Sequence, residues 1–474
     1  MPGAIKRIFV EKKPEFALEA GALFSDLKYN LGIGGLEKVR ILNRYDVSGV
    51  SESEFAEAAR LILSEPPVDN ICPDDFFVDE ATLSFAVEYL PGQYDQRADS
   101  AAQCIRLMAR GEDVGVSTAR VFILYGSLSA SDAELIKKYC INPIEAREAK
   151  SGAPEIAAHP GAVKRLEGFS GMTEDKLRNL STELSLAMSG ADLAFCRQYF
   201  KDKGRDPTVT EIKVLDTYWS DHCRHTTFNT VIDKVEIPAH RYNEALKAAY
   251  ELYLKDREAL CAGQPVTLMD IAVLGMKKLR AEGELDDLDQ SDEVNACSVE
   301  VAADIGGERQ DWLVMFKNET HNHPTEIESF GGAATCLGGA IRDPLSGRSW
   351  VYQAMRVTGG ADPRAPVRDT LQGKLPQRKI ALGAAAGYSS YGNQIGIATG
   401  VVRDFYHDRF LAKRMEVGAV IGAAPKDRVK RARPEPGDLI ILLGGRTGRD
   451  GCGGATGSSK KHTVESLTDC GAQV

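Results

Sequence analysis

Over the first 145 residues the apolar positions switch repeatedly between a period of two and a period near four. The runs "IKRIFVEK" (5–12) and "EKVRILNRYDV" (37–47) read as strands. Between them Phe16, Ala20, Leu23, Phe24 and Leu27 fall at helical spacing and mark an amphipathic helix. A second round follows, with helix "ESEFAEAARLIL", strand "ATLSFAVEYL", helix "DSAAQCIRLMAR", strand "ARVFILYG" and helix "SDAELIKKYC". Repeating strand and helix units predict a layered α/β domain. It holds no cluster of chemistry-bearing side chains, so an assembly or scaffolding role is expected of it.

The segment "EAKSGAPEIAAHPGAVK", rich in Ala, Gly and Pro, reads as a linker, and residues 172–225 read as helical. After Pro207, Thr208 and Glu211 form an S/T-x-x-E cap. Ile212, Leu215, Trp219 and His222 then recur at helical spacing, so His222 ends the buried stripe. Position alone favours a core-edge histidine there. From about 292 a second α/β region begins, with strand "DWLVMFKNE", a glycine-rich loop and helix "GGAATCLGGAIRD", strand "SWVYQAMRVTGG" and a loop "YSSYGNQIGIATG". The acidic run "ELDDLDQSDE" before it reads as a solvated connector. Near 436, "PGDLIILLGGRTGRDGCGGATGSS" reads as a strand and glycine loop opening a further domain. Too few residues follow for that domain, so the chain is expected to be the front part of a larger protein.

Composition narrows the class. A chain of 474 residues exceeds one ordinary core, and its 43% apolar and 27% charged content is that of a globular protein. The net charge of -10 argues against a broad nucleic-acid or anionic-membrane surface, leaving room for a local basic pocket. No apolar run approaches the roughly 20 residues of a membrane helix, and the start has no secretory-signal pattern. The ten cysteines are scattered singly with no CxxC pair, the usage of a reducing cytosol, so a cytoplasmic location is expected.

The chemistry gathers in "MFKNETHNHPTEIESFGG" (315–332). Four of the eight histidines fall in two patches, "DHCRH" (His222, His225) and "HNH" (His321, His323). A zinc site would draw on His222, Cys223, His225, His321 and His323. Pro324 follows at once and no HExxH frame exists, so that signal is weak. A magnesium–nucleotide site uses more of the residues. Lys317 and Glu319 share a strand face by alternation, and Arg342 and Asp343 follow the next helix. Two carboxylates suit Mg²⁺ held jointly with phosphates, while Lys317 and Arg342 neutralise phosphate oxygens. The pairs Gly331–Gly332 and Gly338–Gly339 serve either an anion or tight packing. There is no Walker A or GxGxxG sequence. A histidine beside such a site suits proton transfer, with an ordinary pKa of roughly 6.5.

At "TYWSDHCRHTTF", "KNETHNHPTEIESFGGAATCLGGAIRD" and "GGRTGRDGCGGATGSS" the sequence closely resembles the phosphoribosylformylglycinamidine synthases, ATP-dependent amidotransferases of purine biosynthesis. The resemblance implies a small N-terminal α/β accessory domain (1–150) and a linker with a helical linker domain (151–228). It further implies an aminoimidazole-ribonucleotide-synthetase-like ATP and substrate domain (229–428) and the start of that fold's C-terminal domain (429–474). It implies that formylglycinamide ribonucleotide, ATP and ammonia from glutamine give formylglycinamidine ribonucleotide, ADP and phosphate. Carried over residue by residue, His321 matches the proton acceptor and His222 the other active-site histidine. Lys317 matches an ATP contact, and Glu319 and Asp343 match Mg²⁺ ligands. Thr320, Asn322, His323 and Arg342 match substrate contacts. His225 stands where small-type members carry a tyrosine contacting ATP. The context of Cys452 matches the synthetase loop rather than a glutaminase nucleophile. The family's second synthetase half and its glutaminase are not in these residues, so the chain alone is expected to be nearly inactive. Two alternatives are a related ATP-dependent synthetase, which the N-terminal domain and "WSDHCRH" argue against, and a catalytically silent assembly module.

Overall fold

A computed structural model describes residues 5–73, 82–91, 93–109, 113–149, 162–219, 228–293 and 296–443. In the N-terminal region, strands β1 (Lys6–Lys12), β2 (Leu36–Ser48), β3 (Asp69–Pro73), β4 (Leu83–Tyr89), β5 (Gly115–Gly126) and β6 (Ala146–Glu148) form one antiparallel sheet. Their order is β3-β1-β2-β5-β4-β6. Helices α1 (Leu18–Ser25), α2 (Glu52–Leu61), α3 (Gln96–Ala109) and α4 (Ala130–Cys140) alternate with the strands. The α2 and α4 starts are fixed by reciprocal capping boxes at Ser51–Glu54 and Ser129–Asp132. Two apolar clusters hold the layers, one around Ile8, Tyr45, Ala58 and Ile105, the other around Leu27, Leu36, Phe122 and Ile136.

In this region the strands and helices expected from periodicity are all present. The edge strands β3 and β6, five and three residues long, are too short to show a period. Most of the expected linker lies outside the described residues.

Helices α5 (Glu174–Glu183), α6 (Gly190–Asp202) and α7 (Val209–Trp219) surround Phe169, Leu177, Leu193, Phe200 and Ile212. The Thr208–Glu211 cap is reciprocal: Thr208 N–H donates to Glu211 Oε2 at 2.8 Å and Glu211 N–H to Thr208 Oγ1 at 3.1 Å. Helices α8 (Asn243–Cys261) and α9 (Leu268–Ala281) are tied by Asp270, which accepts from Tyr253 at 2.6 Å and Arg257 at 2.8 Å.

The second sheet comprises β7 (Cys297–Ile305), β8 (Glu308–Thr320), β9 (Trp350–Gly360), β10 (Thr399–Tyr406) and β11 (Met415–Pro425), in the order β10-β9-β11-β8-β7. Within it β10 pairs parallel to β9, and the other pairs are antiparallel. Helix α10 (Asn322–Ile327) leads into α11 (Ser329–Ser346), and α12 (Gln377–Ile395) follows β9. Ala333, Leu337, Ala340, Ile341, Ala384 and Tyr388 of α11 and α12 pack on Val351, Ala354 and Val420. Among the described residues the opposite face is uncovered, with Phe316 44% and Trp350 71% exposed.

Three expectations are corrected. The "loop" 388–400 is the end of α12, a Gly396 cap in the left-handed region, and the start of β10. Its helical face was masked by glycines: Gly387 lets α12 approach α11 so closely that a Cβ would lie 1.9 Å from Phe330 O. Arg342 and Asp343 lie within α11 rather than after it. Residues 439–443, "LIILL", form no strand and are 77–99% exposed, because among the described residues no neighbour offers them a ladder. The acidic connector is largely exposed, as expected, and is also tied down: Asp289 accepts from Arg431 at 2.6 Å and Glu293 from Arg348 at 2.5 Å, and Asp292 pairs with Arg433.

Candidate functional site

Along β8 the alternation sends Leu313, Met315, Lys317 and Glu319 toward the helical layer, where Leu313 and Met315 are 1% exposed. Lys317 and Glu319 sit where that apolar face runs out, under the C-terminal half of α11. Gly339 of α11 faces Glu319, and a Cβ there would stand in ordinary contact with it, 3.6 Å from Glu319 Cγ. One turn further on, Asp343 points back at the strand. Lys317 Nζ lies 2.7 Å from Asp343 Oδ2 and 3.9 Å from Glu319 Oε2. The three side chains are 24%, 31% and 38% exposed, so the cluster is open to solvent and screened on one side.

β8 ends at Thr320, and His321 turns the chain into α10. Three contacts fix it. Its N–H donates to Glu416 O at 3.0 Å, its carbonyl accepts from Thr325 Oγ1 at 2.6 Å, and its ring Nδ1 lies 2.8 Å from Gly332 O. A carbonyl can only accept, so Nδ1 carries a proton, and in the neutral form of the ring the lone pair lies on Nε2. Gly332 can offer that carbonyl because α11 crosses α10 closely: a Cβ on Gly332 would lie 2.4 Å from Thr325 N. Of the two glycine pairs, then, Gly332 and Gly338 serve packing in this arrangement.

The other candidates are distributed around this cluster. Asn322 Oδ1 accepts from Glu416 N–H at 2.8 Å, and Arg342 Nε donates to Tyr391 OH at 3.1 Å. Thr320 is exposed on the sheet face opposite Lys317 and Glu319, while His323 is 2% exposed, inside α10. His222, His225 and Cys223 lie outside the described residues, as does Cys452. Among the described residues no group of three or more His, Cys, Asp or Glu side chains could hold a metal. The cation-binding chemistry present is a pair of hard carboxylate oxygens converging on one ammonium.

Sequence reasoning missed what lies beneath. Glu416, fully buried on β11, receives Arg356 Nε at 2.6 Å on one oxygen and Arg414 Nε at 3.1 Å on the other. Glu326 of α10, 6% exposed, accepts from Lys374 Nζ at 3.1 Å and Arg414 N–H at 2.7 Å. Arg356 also lies 3.5 Å from Asp404. Buried charges survive only when paired in this way. Glu416 thus has two jobs: its side chain closes the ionic layer, and its backbone clamps His321 and Asn322. The available signal was charge at inward-facing positions, since Glu416 occupies the buried set with Gly418, Val420, Gly422 and Ala424.

Known proteins resemble parts of this chain. Residues 177–225 match the formylglycinamide ribonucleotide amidotransferase linker domain. The phosphoribosylformylglycinamidine synthase subunit PurL of Thermoplasma acidophilum is 30% identical over 295 residues, covering 60% of this chain and 30% of the relative. That of Ignicoccus hospitalis is 36% identical over 150 residues, covering 31% of this chain and 19% of the relative. Among solved structures, T. maritima PurL complexed with FGAR has a TM-score of 0.33 at 22% identity, covering 55% of this chain and 31% of that one. The matched part of this chain thus spans about 30% of the length of its first curated relatives. Through that linker and those relatives, the chain is related to the phosphoribosylformylglycinamidine synthases over part of their length.

Proposed function

We propose that this chain supplies the first ATP-grasping half of a phosphoribosylformylglycinamidine synthase, working in the cytoplasm. The observation that carries the reading is the convergence of Lys317, Glu319 and Asp343 beside a histidine of fixed tautomer. In this reading residues 1–150 are an accessory domain, 151–228 the linker, 229–428 the ATP and substrate domain, and 429–474 the start of a C-terminal domain.

The two carboxylates suit Mg²⁺, because they already share one cation, the Lys317 ammonium. Bound there with nucleotide, the ion would neutralise phosphate charge. With Asp343 and Glu319 holding the ion, Lys317 would be free to face a phosphate oxygen. T. maritima PurL is known complexed with ATP, ADP and FGAR, which supports the same ligands here. In the reaction the amide oxygen of formylglycinamide ribonucleotide takes the γ-phosphoryl group and ADP leaves. Ammonia then adds to the amide carbon, the C–O bond breaks and phosphate departs. Across this second step one proton must leave the nitrogen, and Nε2 of His321 is the acceptor. Arg342 and Asn322 would bind substrate in this scheme; for Thr320, on the other sheet face, and the buried His323, a substrate contact is what the family resemblance implies. His222 assists and His225 contacts nucleotide, as the family resemblance implies.

The bare sheet face carrying Phe316, Trp350 and Val301 suits a second synthetase half, since apolar patches of this kind mark interfaces. A glutaminase domain or subunit would deliver ammonia. The test is turnover: the 474 residues alone should form little or no formylglycinamidine ribonucleotide, and addition of a second synthetase half should restore ammonia-dependent formation. Robust ATP- and glutamine-dependent turnover by the isolated chain contradicts the proposal, as does failure to bind either Mg-ATP or the ribonucleotide.

A further inference from the structure

The N-terminal domain does not merely neighbour the site; it touches the segment that carries His321. The turn after α4 closes on Asn142, whose carbonyl accepts from Glu145 N–H at 3.2 Å and Ala146 N–H at 2.9 Å. Asn142, 7% exposed, donates from Nδ2 to the carbonyl of Ile327 at 2.7 Å. Ile327 is the last residue of α10, 3% exposed, and its carbonyl has no water to turn to if that donor is lost. The next residue, Glu328, breaks the helix with φ −140° and ψ 89°, and its carbonyl accepts from Gly332 N–H at 2.9 Å. Gly332 is the residue whose own carbonyl fixes the His321 ring. A short path therefore runs from Asn142 through the α10–α11 junction to the imidazole.

The rest of the seam is built to hold that junction in place. Arg378 of α12 pairs with Asp26 at 3.0 Å, Tyr139 OH donates to Asp26 at 3.1 Å, and Lys379 donates to the Tyr139 carbonyl. Glu145 sits in the same seam, near Glu328 and Lys379, and burial raises its pKa.

We infer that Asn142 is a positioning residue for His321: the accessory domain sets the orientation of the imidazole by holding the α10–α11 junction. This rests on the reading of His321 as the reacting base, but its test does not need turnover. In the full chain, Asn142→Leu keeps the size of the side chain and removes the donor, and Asn142→Ala serves if the first variant does not fold. Arg378→Ala is the control, since it weakens the same seam without touching the junction. The readouts are the ¹⁵N ring signals of His321 and hydrogen exchange of amides 322–332.

The expected result is a single Nδ1–H tautomer in wild type and in Arg378→Ala, and a mixture in the Asn142 variants. Exchange at the junction should quicken about tenfold in those variants, matching the loss of one buried hydrogen bond at ~1.4 kcal/mol. An unchanged His321 signature in folded Asn142 variants overturns the inference, and so does an equal change in Arg378→Ala. A chain that binds no Mg-ATP yet shows the Asn142-dependent signature loses the proposed function and keeps this inference. Mg-ATP binding with an Asn142-independent signature does the reverse.

Discussion

Lys317 of β8 and Asp343 of α11 stand 2.7 Å apart, nitrogen to oxygen, with Glu319 sharing the same ammonium from 3.9 Å. A strand end and a helix interior thus deliver one cation and two carboxylates to one place. The pair is partly open to water, so its own contribution to stability should be small, about 0–1 kcal/mol. Lys317→Met should therefore leave the urea midpoint nearly unchanged while weakening Mg-ATP binding by roughly 10- to 100-fold, the range of a charge-assisted contact. A large stability loss without a binding loss would make the cluster structural.

The layer beneath should behave in the opposite way. Glu416 is fully buried between Arg356 and Arg414, so Glu416→Gln leaves two guanidiniums without their carboxylate. Breaking a buried ion pair on one side costs about 3–5 kcal/mol. Urea unfolding of the C-terminal sheet should show that loss, and a change below about 1 kcal/mol would contradict the ionic layer.

How much of this was legible follows from the range of each interaction. The face shared by Lys317 and Glu319 is a property of one strand, and alternation revealed it. The Thr208–Glu211 cap is three residues long and equally visible. The pairing of Glu416 with Arg356 spans 60 residues and depends on β11 lying between β9 and β8, a sheet order that no local period encodes. Asn142 meets Ile327 across 185 residues. The end of α12 was misread because Gly387 and Gly392, which its packing needs, are also the residues of loops. "LIILL" was misread for the converse reason, that strand composition makes a strand only beside a partner.

Helix packing gives a direct steric test. Gly387→Ala would put a Cβ 1.9 Å from Phe330 O and should cost on the order of 1–3 kcal/mol. Gly21→Ala, in α1 with nothing within 4 Å of its new Cβ, should instead gain about 0.5–1 kcal/mol from helix propensity. Thermal unfolding of both variants checks the signs, and a neutral Gly387→Ala would refute the close approach of α12 to α11.

The domain seam should respond to pH. Burial, and then the Glu145 charge, push the Glu328 carboxyl up from 4.5 to about 7, against the opposing pull of the amides of residues 330–332. Glu145, whose pKa burial also raises, faces it from the turn and Tyr89 from β4, while Arg120 of β5 and Lys379 of α12 act on Glu145. Because the folded state holds this proton more tightly, its stability is full below about pH 4.5 and falls as pH rises through about 7. At ~1.4 kcal/mol per unit, wild type should lose roughly 3 kcal/mol relative to Glu328→Gln between those limits. Urea titrations of both proteins at several pH values measure it, and parallel curves would refute it.

The central claim, that the end of β8 and the last turns of α11 form a Mg-nucleotide site, is tested most directly by calorimetry of ATP on the whole chain. The account predicts saturable binding that requires Mg²⁺ and is lost or weakened at least tenfold in Glu319→Gln/Asp343→Asn. Binding of equal strength without Mg²⁺, or undiminished in the double variant, would contradict it.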